Sequence, residues 1–156
     1  MQTERIASRL SSSPNLVPPA RVLLAEDDPE LRQMVGSALR ADGYDVIEVK
    51  DGGRLLVQIG TAYLDRDPTG AFDLLISDVR MPICNGVQIL EGLRQARWNT
   101  PAIVMTAFGD DATRDRIESL GAAYFDKPFD LDDLRTAVVY MLQRKRAPYR
   151  REPQRT

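Results

Sequence analysis

Phe72-Asp73-Leu74-Leu75-Ile76-Ser77-Asp78 is a short apolar run that closes on a carboxylate. Nearly continuous apolar character over so few residues suits a strand covered on both faces. The carboxylate at its end then stands at one rim of a sheet. Three more runs have the same build. Val22-Leu23-Leu24-Ala25 leads into Glu26-Asp27-Asp28, and Ala102-Ile103-Val104-Met105 leads into Thr106. Ala123-Tyr124-Phe125 leads, one residue on, into Lys127. Parallel strands would bring all these groups to one edge, where open α/β sheets take their ligands.

The stretches between these runs have helical spacing. Leu31, Met34, Val35, Ala38 and Leu39 form one stripe, with Gly43 as its stop. Val46-Ile47-Glu48-Val49 reads as a strand, Asp51-Gly52-Gly53 as a turn, and Leu55, Leu56 and Ile59 as the next helix. Asp65-Arg66-Asp67-Pro68-Thr69-Gly70 reads as a polar turn. After the loop Met81–Gly86, Val87, Ile89, Leu90 and Leu93 mark a helix that Asn99-Thr100-Pro101 ends. Residues 111–120 look helical, but their large apolar residues are mainly Ile117 and Leu120, so that helix should be weakly anchored. Leu131, Leu134, Val138 and Met141 make the stripe of the last helix, acidic at its start and basic at its end, as the helix dipole favours. Strands alternating with helices imply an α/β fold with a parallel sheet and right-handed crossovers.

Length and charge narrow the classes. The chain has 156 residues, enough for one domain with a core that needs no disulfides. Its 21 basic and 23 acidic residues give a net charge of −2, so the whole chain is not a polycation for nucleic acid. Direct nucleic-acid binding is not expected. Six Lys or Arg and one Glu lie from Arg144 onward, leaving about −7 on residues 1–143 and +5 on the tail. One cysteine cannot form an internal disulfide, and there is no histidine for ligation or acid–base work. No stretch is apolar enough to span a membrane, and no signal-peptide core opens the chain. The expectation is a cytoplasmic protein without membrane attachment. Residues 1–20 are expected to be a flexible extension, 21–144 the domain, and 145–156 a basic flexible tail.

Carboxylates crowded at one sheet edge repel one another unless a cation joins them. Magnesium favours one or two carboxylates, waters and phosphate oxygens. Asp78 beside such an ion could attack phosphorus and form an aspartyl phosphate. Lys127 would neutralise one phosphoryl oxygen, and the Thr106 hydroxyl would donate to another. Taken singly, each residue has a plainer reading. Asp78 and Asp28 suit caps, Thr106 suits a strand, and Lys127 suits a solvated surface. Their joint placement at strand ends carries the chemistry.

Four motifs in order now show a resemblance. They are Leu23-Leu24-Ala25-Glu26-Asp27-Asp28-Pro29; Ser77-Asp78-Val79-Arg80-Met81-Pro82 with Gly86; Val104-Met105-Thr106-Ala107; and Asp126-Lys127-Pro128-Phe129. The chain resembles the response-regulator receiver domains of two-component signalling over about residues 20–144. The resemblance implies a flavodoxin-like five-stranded parallel sheet, order 2-1-3-4-5, with five helices. It implies Asp78 as phospho-acceptor, Glu26 and Asp27 with Asp78 and the Arg80 carbonyl as the Mg2+ site, and Lys127 as the phosphoryl-binding cation. Thr106 and Tyr124 become the switch pair, and Lys127-Pro128 a cis bond. Glu26 stands where an aspartate is commoner, so it is expected to act through a metal-bound water. The segment before Asp78, around Tyr63 to Gly70, is longer than usual.

The resemblance also implies a phosphohistidine donor on a sensor histidine kinase or phosphotransfer protein. The receiver of the signal would be an output protein, or an output domain outside this sequence. Helix 111–120, strand 123–126 and helix 130–144 (the α4-β5-α5 face, counting along the chain) would carry the switch and a possible homodimer. Arg80 and Phe108 are expected to tune the lifetime of the phosphorylated state. Two other readings stay open. One is a docking module that works without phosphorylation. The other is an aspartyl-phosphate hydrolase, which needs a second acid two residues after Asp78, where Arg80 stands. Only self-phosphorylation and self-dephosphorylation are otherwise expected, not enzymatic turnover.

Overall fold

The computed structural model describes residues 18–65 and 72–146. The lead-in before Pro18, most of the polar turn before the Asp78 strand, and the basic tail after Arg146 lie outside them. Five strands, β1 (Arg21–Ala25), β2 (Asp45–Val49), β3 (Leu74–Asp78), β4 (Ala102–Thr106) and β5 (Ala123–Asp126), form one sheet in the order β2-β1-β3-β4-β5. Every neighbouring pair is parallel. This is the flavodoxin-like arrangement expected from the sequence. β3 and β4 are buried at every position, as their unbroken apolar runs require.

The helices are α1 (Pro29–Ala41), α2 (Gly52–Leu64), α3 (Gly86–Gln95), α4 (Asp111–Ser119) and α5 (Leu131–Arg146). Side-chain alternation along the strands builds two cores. Val22, Leu24, Ile76, Ile103 and Met105 pack against Val35 and Leu39 of α1 and Leu134 and Val138 of α5. Leu23, Ala25, Leu75 and Val104 face the other way, onto Leu55, Ile89, Leu90 and Ile117 of α2, α3 and α4.

Each helix starts on a short acid or amide at the carboxyl edge of the sheet. The side chains of Asp28, Asp51, Asn85 and Asp110 accept from the N–H groups of Glu30, Arg54, Gln88 and Thr113. Asp130 accepts from the Asp132 N–H at 2.7 Å, so it precedes the last helix rather than joining its first turn. Asn85 and Gln88 complete a capping box.

Several boundaries differ from the sequence reading. Gly52 and Gly53 are the first residues of α2, not a turn, because the Asp51 carboxylate caps them into the helix. A Cβ on Gly52 would meet the backbone of Cys84, so only glycine lets α2 start this close to the loop after β3. Tyr63 and Leu64, placed in the long segment, are the last turn of α2. α3 ends at Gln95, before Asn99, with Ala96 as its cap. Met34 is 47% exposed, off the buried stripe of α1. Only Ile117 of α4 is buried. Among the described residues no helix is long and apolar enough to cross a membrane.

Candidate functional site

The carboxyl ends of β1 and β3 meet the loop after β5 around one ammonium group. Lys127 Nζ lies 2.8 Å from Asp78 Oδ2, and 3.0 and 2.9 Å from the two carboxylate oxygens of Glu26. Its position follows from the strand pairing, since the Lys127 N–H donates to the Thr106 carbonyl and extends β5 past its last residue. The adjoining Lys127-Pro128 bond is cis, as the resemblance implied. Glu26 and Asp78 are both buried, whereas Asp27 is exposed. A carboxylate oxygen from each of Glu26, Asp27 and Asp78 lies within 4.8 Å of the others.

One ammonium does not balance three carboxylates. Burial, with the nearby Asp78 charge adding to it, pushes the Glu26 carboxyl up to about 7, even though Lys127 hydrogen-bonds it. Burial opposes the Lys127 charge, but its hydrogen bonds to Asp78 and Glu26 outweigh that and raise its pKa. The group therefore has excess negative charge and a hard oxygen donor set. A proton on Glu26 or a divalent cation among the three acids would relieve it.

The remaining sequence candidates surround this centre. The Arg80 N–H donates to Asp78 Oδ1 at 3.2 Å, tying the loop after β3 to the carboxylate. The Arg80 guanidinium sits 5.0 Å over the exposed Phe108 ring, so the pair does share the rim. Thr106 is buried, and its hydroxyl accepts the Phe108 N–H at 3.2 Å. Tyr124 is half-buried on β5, its hydroxyl donating to Asp126 and its ring carrying the Arg114 guanidinium at 4.8 Å.

Two residues bear on the site although the sequence did not single them out. Arg32 Nη1 donates to the Glu26 carbonyl at 2.9 Å, and its Nε lies 3.7 Å from Glu48. This braces the turn that carries both β1 acids. An arginine four residues after Asp28, within the first turns of α1, was the available signal. Gly109 is the second. A Cβ there would collide with the Tyr124 hydroxyl and approach the Thr106 methyl to 2.7 Å, so the two side chains share the space above one glycine. Nothing in the local sequence marks that contact.

The family model for the response regulator receiver domain matches residues 22–139. The chain belongs to that family. This receiver domain is 37% identical over 127 residues to the response regulator protein PmrA of Pseudomonas aeruginosa, covering 80% of this chain and 53% of that protein. It is 32% identical over 126 residues to the regulatory protein AtoC of Escherichia coli, covering 79% of this chain and 25% of that protein. Among solved structures it resembles the receiver domain of the Francisella response regulator 1452, with TM-score 0.71 and 28% identity over 81% of this chain and 98% of that one. Vibrio cholerae chemotaxis protein CheY4 gives 0.65 and 28% over 79% and 98%. The chain spans a quarter to about three-fifths of the length of the curated relatives it matches.

Proposed function

We propose that this receiver domain, residues 21–144, takes a phosphoryl group onto Asp78 from a phosphohistidine of a sensor kinase or phosphotransfer protein in the cytoplasm. The observation that carries the reading is the Lys127 ammonium held between Asp78 and Glu26, with Asp27 in ligand reach. A carboxylate oxygen of Asp78 attacks phosphorus, the P–N bond breaks, and the donor imidazole leaves with its electron pair. Asp27, Asp78 and the Arg80 carbonyl would hold magnesium, and Glu26 would act on it only indirectly, because Lys127 already occupies both Glu26 oxygens. When bound, the ion neutralises phosphoryl oxygens. Lys127 stays with the Asp78 carboxylate and contacts a phosphoryl oxygen, and the Thr106 hydroxyl turns from its local hydrogen bond to donate to another.

The shift of Thr106 opens space behind β4. Tyr124 then turns inward, leaving Asp126 and Arg114, and α4 follows because Ile117 alone of its residues is buried. The α4-β5-α5 face so altered acts on an output protein or domain. Arg80 and Phe108, stacked at the rim, limit water access and lengthen the phosphorylated state. Arg80 also occupies the place of a hydrolase's second acid, which favours a held phosphoryl group over turnover of outside esters.

Intact-mass analysis after acetyl phosphate and Mg2+ tests the reading. Wild type gains one phosphoryl mass that disappears without Mg2+ and in Asp78→Asn. The same adduct on both proteins would overturn Asp78 as acceptor.

A further inference from the structure

Of the three acids, Asp27 is the one whose aim is left to its backbone. Lys127 fixes Glu26 and Asp78 through their carboxylates, and both are buried. Asp27 is exposed, so core packing does not aim its side chain. The direction of its carboxylate then depends on the peptide units that flank it.

Arg32 holds those units from both sides. Its backbone N–H donates to the Asp28 carbonyl at 2.9 Å, and its Nη1 donates to the Glu26 carbonyl at 2.9 Å. The Glu26 carbonyl belongs to the planar peptide that also carries the Asp27 N–H, so this bond fixes the plane from which Asp27 starts. The Glu26 N–H donates to the Val49 carbonyl at 3.1 Å, and the Asp28 N–H to Glu26 Oε1 at 3.3 Å. The turn is thus bonded before and after Asp27, and the guanidinium ties its first half to α1.

The guanidinium is itself held. Its Nε lies 3.7 Å from Glu48 Oε1, and Arg40 Nη1 lies 2.6 Å from Glu48 Oε2. Arg40 Nη2 donates to the Val46 carbonyl at 3.0 Å, which ties the far end of this chain of charges to β2. The Arg32 and Glu48 side chains are 17% and 21% exposed, so water screens their attraction only in part. Gly36, buried on α1, makes the space, since a Cβ there would lie 3.0 Å from the Glu48 carboxylate. Glycine is unfavourable inside a helix, and here the Glu48 carboxylate takes the room that a side chain would fill.

A guanidinium this close to the acids would by its charge alone oppose a divalent cation. Its presence there is explained by geometry, because outer bonds that orient a ligand strengthen metal binding. We propose that Arg32, held by Glu48, is a positioning residue that sets the affinity of the acidic site for a divalent cation by fixing the Asp27 carboxylate. The proposal rests on the reading of Glu26, Asp27 and Asp78 as a magnesium site.

Mg2+ titration of the full chain followed by amide NMR tests it, beside thermal unfolding without metal. Wild type should saturate. Arg32→Met keeps the stem and removes the donors, and should bind Mg2+ about tenfold more weakly. Raising Mg2+ should recover most of the phosphorylation rate that this variant loses at low Mg2+ with acetyl phosphate, because Asp78, Thr106 and Lys127 are untouched. Arg32→Lys keeps the charge but has one nitrogen for two acceptors, and should fall between wild type and Arg32→Met. Arg40→Met removes the ion pair at the far side of Glu48, and should leave Mg2+ affinity within about twofold. Tighter Mg2+ binding by Arg32→Met would mean that its charge alone acts, and would overturn the proposal. So would a lower thermal midpoint with unchanged Mg2+ affinity, the mark of a purely structural brace, or an equal loss of affinity in Arg40→Met. A wild type that does not bind Mg2+ would instead overturn the magnesium reading beneath it.

Discussion

At the residue scale, Lys127 has two duties that oppose each other. It is one cation for two buried carboxylates, and the hydrogen bonds it makes to Glu26 compete with the one it makes to Asp78. Removing it leaves Glu26 and Asp78 with no compensating charge. Lys127→Ala should cost about 2 kcal/mol of stability without metal, a figure reduced because Lys127 is partly exposed. Mg2+ should recover part of that loss while phosphorylation stays at least about tenfold slower. Urea titration with and without Mg2+ and the rate of adduct formation measure the two effects. Glu26 supplies a pH signature. Its folded pKa of about 7 lies above the ordinary 4.5, so between these values the folded protein binds more protons than the unfolded chain. Its contribution is complete below pH 4.5 and is lost as pH rises through 7, by up to about 3 kcal/mol. Metal-free urea midpoints should therefore fall between pH 5 and pH 8 in wild type more than in Glu26→Gln. Parallel curves would refute the shift.

At the element scale, α4 is the least tied of the helices. Its apolar content was legible in the sequence, where only Ile117 and Leu120 stood out, and in the structure Ile117 alone is buried. Arg114 to Asp126 and Arg116 to Glu91 add exposed ion pairs that contribute little. Ile117→Ala should free residues 111–119 to exchange amide hydrogen by local opening, leaving β1, β3 and β4 protected, whereas Leu90→Ala should weaken the whole domain by about 3 kcal/mol. Hydrogen-exchange mass spectrometry separates the cases. Helix ends were less legible than helix faces. Asp51 could cap a helix or open a turn with its glycines, and the sequence alone favoured the turn. The choice was made by the loop after β3, where the Gly52 N–H donates to the Pro82 carbonyl at 3.1 Å.

At the scale of the whole molecule, the sheet converts sequence-distant acids into one charge cluster, so that a cation bound there would be linked to stability. A cation that binds only the folded state raises the unfolding free energy by about 2.7 kcal/mol at a hundredfold excess over its dissociation constant. Mg2+ should accordingly raise the thermal midpoint, and Asp27→Asn should largely abolish the rise while the exposed position of Asp27 leaves the fold intact. Scanning calorimetry checks both. The sequence by itself determined the strand runs, their alternation with helices and the residue types at the strand ends, because burial and helical periodicity are written locally. It therefore also determined the parallel sheet and the group Glu26, Asp27, Asp78 and Lys127. Only the tertiary structure decided which charges touch. Lys127 lies 101 residues from Glu26 and grips both of its oxygens. Arg32 braces the acidic turn from α1. Thr106 and Tyr124 share the space above Gly109, and Gly60 and Gly92 open one groove from separate helices. Such contacts depend on distances between elements, which packing fixes and local residue patterns do not encode.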